Sequence, residues 1–378
     1  MRKILLIFGT RPEAIKLCPV IRSLREHPAH FDVKVCVTAQ HREMLDQVLQ
    51  AFEVKPDYDL DIMLPGQTLF ESTSRILAGL EPVFKDQHPD LAIVQGDTTT
   101  TLCGALASFY KGVPVAHVEA GLRTDDMRQP FPEEMNRVLT SHLTALHFAP
   151  TKQALENLRK EGVPPESIHV TGNTGIDAVL YVRDCLEQGK LQGREWPELD
   201  PGKKLVVVTA HRRESFGGGF ERICRGLAEL ANRTDIQIVY PVHPNPNVQD
   251  PVQRLLAGHS NIRLIEPLSY VPFVDLMRRA YLLITDSGGI QEEGPSLGKP
   301  ILVLREKTER PEAVTAGTVK LVGADEHRLL SEANLLLDNR ELYEGMARIH
   351  NPYGDGRASG RISDLIHSFL TINSYKIN

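Results

Sequence analysis

The chain lacks the features that mark several classes of protein. None of its apolar runs approaches the roughly 20 residues that a membrane-spanning helix needs. The N-terminal run, Ile4 to Phe8, is also far too short for the apolar core of a secretory signal. The five cysteines are scattered and form no CxxC pair, which is typical of a reducing compartment, and no His, Asp or Glu spacing indicates a metal site. We therefore expect a soluble, cytoplasmic protein without a bound metal.

An excess of positive charge is missing too. The 43 Lys and Arg residues are outnumbered by 49 Asp and Glu residues, and the net charge is −6. Because binding to a phosphate backbone needs clustered cations, this balance argues against a nucleic-acid partner. The composition that remains, 41% hydrophobic and 24% charged, is that of a globular protein, and 378 residues suggest two domains.

Short apolar runs alternate with amphipathic segments along the whole chain, a pattern typical of parallel α/β layers. The predicted strands cover residues 3–8, 33–38, 91–95, 113–118 and 146–149, then 204–209, 236–240, 262–265, 281–285 and 300–304. Two such sets predict two tandem doubly wound, Rossmann-like domains. We place the boundary near Thr171, which gives domains at 1–170 and 171–356.

The stretch 281–300, YLLITDSGGIQEEGPSLGKP, carries the strongest local signal for a binding site. Its pattern predicts a strand, a tight turn at residues 286–289 and a helix. The first turn of a helix leaves N–H groups without partners, and glycines allow a phosphate to approach them closely. Glu292 and Glu293 follow within a turn, where a carboxylate can accept two sugar hydroxyls. The alternative is an ordinary turn followed by a solvated acidic face.

Charged residues next to a glycine or proline follow nearly every predicted strand. Ligands of open α/β sheets bind outside the carboxyl ends of the strands, so these residues are candidates for a site. Each also has a structural alternative. Asp97 is equally suited to cap a helix, His117 to packing, and Glu134 to a solvated helix start, which is the interpretation we favour for Glu134.

Seven motifs in order resemble one known family. They are GTRPEAIK at 9–16, TAQHREMLDQ at 38–47, GDTTTT at 96–101, HVEAGLRT at 117–124, AHRRES at 210–215, DSGGIQEE at 286–293 and TERPEAVTAGT at 308–318. Together they resemble the bacterial non-hydrolysing UDP-N-acetylglucosamine 2-epimerases. The match extends to residues 351–356, nearly the whole chain, and Ala210 departs from it, because the common form has glycine there.

The resemblance implies a fold and an activity. The fold is that of the glycosyltransferase-B-like proteins, with the active site in the interdomain cleft and the C-terminal segment 357–378 packing back on the first domain. The activity is the reversible conversion of UDP-N-acetylglucosamine (UDP-GlcNAc) into UDP-N-acetylmannosamine (UDP-ManNAc) by a homodimer, which supplies ManNAc-derived sugars for surface polysaccharide.

The resemblance also implies roles for individual residues. The catalytic residues are three carboxylates with a histidine beside the diphosphate: Asp97, Glu119, Glu133 and His211. The substrate-binding residues are Arg11 and Lys16 at the sugar and phosphate, Ser287, Gly288 and Gly289 at the phosphate, Glu293 at the ribose, Arg310 on the nucleotide side and Phe273 near uracil. A second, regulatory UDP-GlcNAc molecule beside the site would be lined by Gln40, Arg212 and His243.

Such an epimerisation needs carboxylates and a site for a departing diphosphate. No carbonyl acidifies the C2 proton of the sugar, so the C1–O bond breaks first, UDP leaves, and loss of the C2 proton gives a glycal. This route needs no nicotinamide, and neither half of the chain shows GxGxxG with an acidic partner about 20 residues on. Three alternatives stay open: a glycosyltransferase, a hydrolysing epimerase and a non-enzymatic nucleotide-sugar sensor.

Overall fold

A computed structural model describes residues 1–38, 42–62, 64 and 66–374. The strands are β1 (Arg2–Phe8), β2 (Phe31–Val37), β3 (Tyr58–Asp59), β4 (Leu91–Gln95), β5 (Val115–Val118), β6 (Leu146–Ala149), β7 (Ile168–Val170), β8 (Lys204–Thr209), β9 (Ile236–Pro241), β10 (Ile262–Ile265), β11 (Leu282–Thr285), β12 (Ile301–Val303) and β13 (Val319–Leu321).

Helices connect these strands. They are α1 (Arg11–Arg25), α2 (Arg42–Ala51), α3 (Leu69–Gln87), α4 (Thr99–Tyr110), α5 (Glu133–Leu143), α6 (Lys152–Lys160), α7 (Thr174–Glu187), α8 (Gly218–Leu230), α9 (Pro246–Leu256), α10 (Tyr270–Arg279), α11 (Gly288–Glu293), α12 (Pro311–Ala316), α13 (Glu326–Asp338), α14 (Arg340–Ala347) and α15 (Ala358–Ser374). Short 3-10 helices lie at Pro165–Ser167, Arg213–Ser215 and Gly294–Leu297. Among the residues that the structure describes, no helix is both long and apolar enough to cross a membrane.

The chain divides into two compact units. Unit 1 comprises Met1–Ala178 and the chain from Gly354 onward, and unit 2 comprises Val179–Tyr353. The division falls inside α7, a few residues after the boundary near Thr171 that we expect from the sequence. Because α7 is one continuous helix, its sequence shows no break at the division.

Each unit is built on a parallel sheet, which confirms the predicted pair of Rossmann-like domains. The described part of unit 1 has the strand order β3-β2-β1-β4-β5-β6-β7, and that of unit 2 has the order β10-β9-β8-β11-β12-β13. In both, the order reverses beside the first strand of the unit, which is where doubly wound folds bind ligands. The sequence pattern does not predict the edge strands β3 and β13, which have two and three residues.

The central strands are apolar because helices cover both faces of each sheet. In β1 the five residues Ile4 to Phe8 are all fully buried. In unit 2, β8 and β11 pack into one core cluster with α8 and α13, around residues such as Phe220 and Leu227. These rigid strands fix where the following loops begin.

The last helix belongs to unit 1. Asp177 accepts the backbone N–H groups of Ala358 at 3.2 Å and Ser359 at 2.7 Å, the first residues of α15. An acidic side chain at a helix N-terminus satisfies N–H groups that have no partner inside the helix. Asp177 therefore anchors the start of α15, which packs beside α1.

Candidate active site

A buried carboxylate, Glu13, ties together the loops that follow β1 and β4. Its Oε2 accepts the N–H groups of Gly9 at 3.1 Å and Thr10 at 2.7 Å, and its Oε1 accepts the Thr98 hydroxyl at 2.8 Å. Gly9 is required here, because a Cβ at this position would lie 2.1 Å from Oγ1 of Thr38. Glu13 therefore holds in place the loop that carries Asp97, a role that the motif GTRPEAIK did not reveal.

Asp97 lies directly after β4 and does not cap the next helix. Thr98 is the N-cap of α4, since its side chain accepts the Thr101 N–H at 3.1 Å, so the capping alternative for Asp97 is wrong. The backbone carbonyl of Asp97 accepts Nδ2 of Asn136 at 2.9 Å, and Nη1 of Arg137 lies 3.5 Å from its Oδ2. Two residues of α5 thus contact both the backbone and the side chain of Asp97.

The surroundings of Asp97 favour its protonated form. Burial raises the pKa of Asp97 to about 6; Glu119 and Glu133 also raise it, and Arg137 and Lys16 oppose this change. Glu119 and Glu133 thus both lie within electrostatic reach of Asp97. We call Asp97, Glu119 and Glu133 the carboxylate cluster. A carboxyl group with such a pKa changes its protonation state near neutral pH.

Glu119, which follows β5, is held in an unusual backbone conformation. Its φ is +66°, in the left-handed region that costs a residue with a side chain about 1–3 kcal/mol. Its carboxylate pairs with Lys16 and accepts Nε2 of Gln95 at 2.5 Å. Ion pair and hydrogen bond together fix the orientation of a carboxylate that is 9% exposed.

The two glutamates that begin α5 have different surroundings. Glu133 is half-buried, and its Oε2 has no hydrogen-bond partner among the described residues. Glu134 is 1% exposed, accepts the N–H groups of Thr124 at 2.9 Å and Asp125 at 3.1 Å, and pairs with Arg137 at 2.7 Å. The preferred interpretation of Glu134 as a solvated residue is therefore wrong, because the preceding loop folds over it.

Glu134→Gln is expected to lower the free energy of unfolding by about 3 kcal/mol, because Arg137 then loses the nearer of its two carboxylate partners in a buried ion pair. Chemical denaturation, with circular dichroism as the readout of unfolding, measures this change in free energy. Glu156→Gln is a matched control, since its pair with Arg159 is about half exposed and should contribute at most about 1 kcal/mol. Equal effects of the two substitutions would contradict the buried role.

Two motif arginines of unit 1 lie outside the carboxylate cluster. Arg123 is 3% exposed and donates to both oxygens of Glu161, at 2.6 and 2.7 Å, so its role is structural. Arg11 is the first residue of α1, and its Nη1 lies 3.6 Å from Sδ of Met44. Lys16, one turn later, is the basic residue of the same motif that contacts the cluster, through Glu119.

In unit 2, Asp286 organises the loop after β8. Its Oδ2 accepts the backbone N–H groups of His211 at 2.6 Å and Arg212 at 2.7 Å. Its Oδ1 lies 3.5 Å from Nδ1 of His211. Because β8 and β11 are neighbours, the two motifs AHRRES and DSGGIQEE meet at this residue. Sequence reasoning missed Asp286, although it directly precedes the predicted phosphate-binding residues.

His211 and His243 lie together. Their rings stack with centroids 5.2 Å apart and an interplanar angle of 10°. Burial lowers the pKa of His211, an effect that Asp286 opposes and that His243 and Arg212 reinforce. The ring is therefore mainly neutral at pH 7 in the free protein. The predicted regulatory residues Arg212 and His243 thus adjoin His211, whereas Gln40 lies outside the described residues.

The predicted phosphate-binding turn adopts the expected strand, turn and helix. Ser287 is the N-cap of α11, and Gly288 and Gly289 begin the helix. A Cβ on Gly288 would lie 3.8 Å from the Arg310 guanidinium, an ordinary contact distance, so this glycine lies beside a cation. Arg310 in turn pairs with Glu292, which is 4% exposed. Glu292 therefore positions Arg310, and the alternative of a solvated acidic face fails at this residue.

Glu293 and Phe273 are the remaining predicted substrate-binding residues of unit 2. Glu293 ends α11 and is half-buried. Phe273, half-buried, lies in the first turn of α10. Pro272 is compatible with this turn, because the first turn of a helix needs no N–H from a proline. Within the described ranges, no group of three His, Cys, Asp or Glu side chains is arranged to hold a metal ion.

Comparisons with known proteins find matches that extend over most of the chain. The model of the UDP-N-acetylglucosamine 2-epimerase family matches residues 22–367. The chain is 57% identical over 372 residues to the UDP-N-acetylglucosamine 2-epimerase of Salmonella typhimurium strain LT2, covering 97% of this chain and 99% of that one. It is also 57% identical over 369 residues to the Escherichia coli K12 protein of the same name, covering 96% and 98%.

A solved structure is also similar to this chain over nearly its whole length. The crystal structure of UDP-GlcNAc 2-epimerase from Neisseria meningitidis bound to UDP-GlcNAc matches with a TM-score of 0.88 and 50% identity, and it covers 97% of this chain and 100% of that one. The similarity thus extends over both units.

Proposed function

Because this chain belongs to the UDP-N-acetylglucosamine 2-epimerase family, we propose that it interconverts UDP-GlcNAc and UDP-ManNAc without hydrolysing them. The observation that carries this proposal is the carboxylate cluster, in which the pKa of Asp97 is raised to about 6 by burial, with Glu119 and Glu133 adding to the effect. Inversion at C2 takes a proton from one face of the sugar and returns a proton to the other. A group of carboxylates with one pKa near the working pH suits both steps.

The reaction proceeds by elimination and re-addition of UDP. Cleavage of the C1–O bond transfers its electron pair to the β-phosphate oxygen and leaves positive charge at C1. A carboxylate of the cluster then removes the C2 proton, and a 2-acetamidoglucal forms. Delivery of a proton to the opposite face of C2 and attack of the UDP oxygen on C1 complete the epimerisation. Every bond that breaks is thereby remade without a net oxidant, reductant or water.

Unit 2 supplies the groups that stabilise the departing UDP. The N–H groups of the first turn of α11 and the side chains of His211 and Arg310 suit a diphosphate. Glu293 is proposed to bind the ribose and Phe273 to contact the uracil. The polar contacts of Asp286 hold the backbone at His211, and Glu292 holds the side chain of Arg310. These groups act on developing negative charge, so they accelerate the step in which the C1–O bond breaks.

A product analysis tests the proposal. Purified protein incubated with UDP-GlcNAc alone in heavy water is expected to give UDP-ManNAc with deuterium at C2, because the returned proton comes from a carboxylate that exchanges with solvent. Proton NMR measures both the product ratio and the residual C2 signal. Free ManNAc with UDP would indicate a hydrolysing enzyme, and dependence on an added acceptor would indicate a transferase.

The same incubation tests C1–O cleavage. An oxygen label in the bridging position between C1 and the β-phosphate should move into the non-bridging positions, because the β-phosphate of free UDP rotates before it reattaches. Phosphorus NMR detects this movement through the isotope shift. A product without deuterium at C2 and with its label still bridging would contradict elimination and favour a hydride-transfer route.

A further inference from the structure

Asp286 is a buried carboxylate, and only one of its two oxygens accepts hydrogen bonds from the loop after β8. The residue is 1% exposed, and Oδ2 is already occupied by the two N–H groups of His211 and Arg212. Oδ1 is buried and has no hydrogen-bond partner in the part of the chain that the structure describes. A buried acceptor without a donor costs about 1–3 kcal/mol, so this oxygen should have a donor at some stage of the protein's work.

The nearest candidate donor is His211. Its Nδ1 lies 3.5 Å from Oδ1, slightly beyond a good hydrogen bond. An ionised carboxylate can only accept, so a favourable contact requires the imidazole proton to be on Nδ1. This arrangement selects one tautomer of the neutral ring and leaves Nε2 as the nitrogen that can bind a ligand. The His211 side chain is 40% exposed, which leaves it accessible.

The charges around His211 determine what happens when an anion arrives. Asp286 favours the charged ring, whereas burial, the stacked His243 and the neighbouring Arg212 favour the neutral ring. A diphosphate adds negative charge next to the ring and shifts this balance toward the imidazolium. The imidazolium has two N–H donors, so it can donate to Asp286 and to a phosphate oxygen at the same time.

We infer that Asp286 is the positioning residue for His211: it holds the imidazole with the proton on Nδ1, so that Nε2 takes up a second proton from solvent when a nucleoside diphosphate binds. The second proton is donated in a hydrogen bond to the phosphate and returns to solvent when the ligand leaves. No substrate bond forms or breaks in this step. The inference rests on the proposed function only in placing His211 beside the diphosphate.

Nitrogen-15 NMR of the imidazoles tests the tautomer in the intact protein. His211→Gln identifies the His211 signals by their loss. We expect Nδ1 protonated and Nε2 unprotonated in the free protein at neutral pH, and both protonated with saturating UDP. Calorimetry of UDP binding in two buffers of different ionisation enthalpy should show an uptake of about one proton per chain. A free ring protonated on Nε2, or binding without proton uptake, would overturn the inference.

Asp286→Asn is the informative variant. Its amide oxygen can still accept the loop N–H groups, while its NH₂ group donates to Nδ1 and moves the ring proton to Nε2. Such a tautomer change is the known reason why an Asp→Asn substitution disables a catalytic histidine elsewhere. We expect the proton uptake to fall toward zero and kcat to fall about 100-fold or more, with a smaller change in KM.

A double substitution separates positioning from folding. In the His211→Gln background, Asp286→Asn should cause no further loss of kcat, because the residue through which it acts is gone. A further loss of similar size would show that Asp286 has only a structural role. If Asp286→Asn does not fold, the NMR and calorimetry of the wild-type protein still decide the matter.

The outcomes also distinguish this inference from the proposed function. Wild-type protein that shows the expected tautomer and proton uptake but does not epimerise UDP-GlcNAc would contradict the proposed function alone. Wild-type protein that epimerises the substrate while its free His211 carries the proton on Nε2 would contradict this inference alone.

Discussion

Asp97→Asn is expected to lower kcat for epimerisation about 10²–10⁴-fold, because the amide keeps the shape of the side chain but cannot exchange a proton. Glu133→Gln should cause a loss in the same range for the same reason. Initial rates of UDP-ManNAc formation, measured by proton NMR at saturating UDP-GlcNAc, give the size of the loss. The affinity for UDP should change little, since the groups proposed to bind the diphosphate belong to unit 2.

A control on the same unit shows whether the loss is specific. Asp364→Asn, on the exposed side of α15, should retain nearly the full rate. Thermal unfolding should show that Asp97→Asn remains folded. If Asp97→Asn keeps a rate near that of the wild-type protein, its assignment to the reaction is wrong, whatever the behaviour of Glu133→Gln.

The raised pKa of Asp97 affects how both the stability and the activity of the protein depend on pH. Its pKa in the folded protein is about 6, against an ordinary value of 3.8. Between these values the folded state binds more protons than the unfolded state, so this residue makes the protein less stable as the pH rises through the interval. Asp97→Asn removes that effect and should not lower the stability at pH 8.

The second consequence concerns activity. A protonated Asp97 cannot accept a proton, so kcat/KM should fall as the pH drops through about 6. The apparent value belongs to the carboxylate cluster as a whole, because its members interact. Glu133→Gln removes one repelling charge and should move the fall in kcat/KM to lower pH. A fall that occurs at the same pH in that variant would contradict the interaction between Glu133 and Asp97.

Much of the fold follows from the sequence because parallel strands are buried on both faces. Strands β4, β6, β8 and β10 match their predicted bounds, since each is an apolar run with a turn signal at its end. The carboxyl ends of such strands lie at one edge of the sheet, which is why Asp97 and Glu119 could be expected together. Pattern alone therefore locates the loops that carry the candidate residues.

The sequence does not predict the partners that hold those residues. Glu13 bonds to Thr98, 85 positions away, and Asp286 bonds to His211, 75 positions away. No local pattern encodes such pairs, because they depend on which strands become neighbours. Glu134 shows the same limit, since only the folded loop at Thr124 and Asp125 decides that this helix-start glutamate is buried. Sequence reasoning thus identifies groups suited to the chemistry more readily than the groups that orient them.

Glu119→Gln is expected to lower kcat about 10²–10⁴-fold, like the other members of the cluster. Its ion pair with Lys16 makes a second experiment possible. The resemblance to the family assigns Lys16 to the sugar and phosphate end, whereas the structure shows it bound to Glu119. If Lys16 acts by orienting Glu119, Lys16→Met should lower kcat with little effect on KM. A hydrogen bond to a charged group contributes about 1.5–3 kcal/mol, which corresponds to roughly 10- to 150-fold in rate.

The double variant decides between the two roles of Lys16. If Lys16 acts through Glu119, adding Lys16→Met to Glu119→Gln should cause almost no further loss, because residues that work as a unit are not additive. If Lys16 binds the phosphate instead, the two losses should multiply, and Lys16→Met alone should raise KM and weaken UDP binding. We expect the first result, because the carboxylate of Glu119 pairs with Lys16 and accepts the side-chain amide of Gln95. If the two losses in kcat multiply, Lys16 instead binds the phosphate of the substrate.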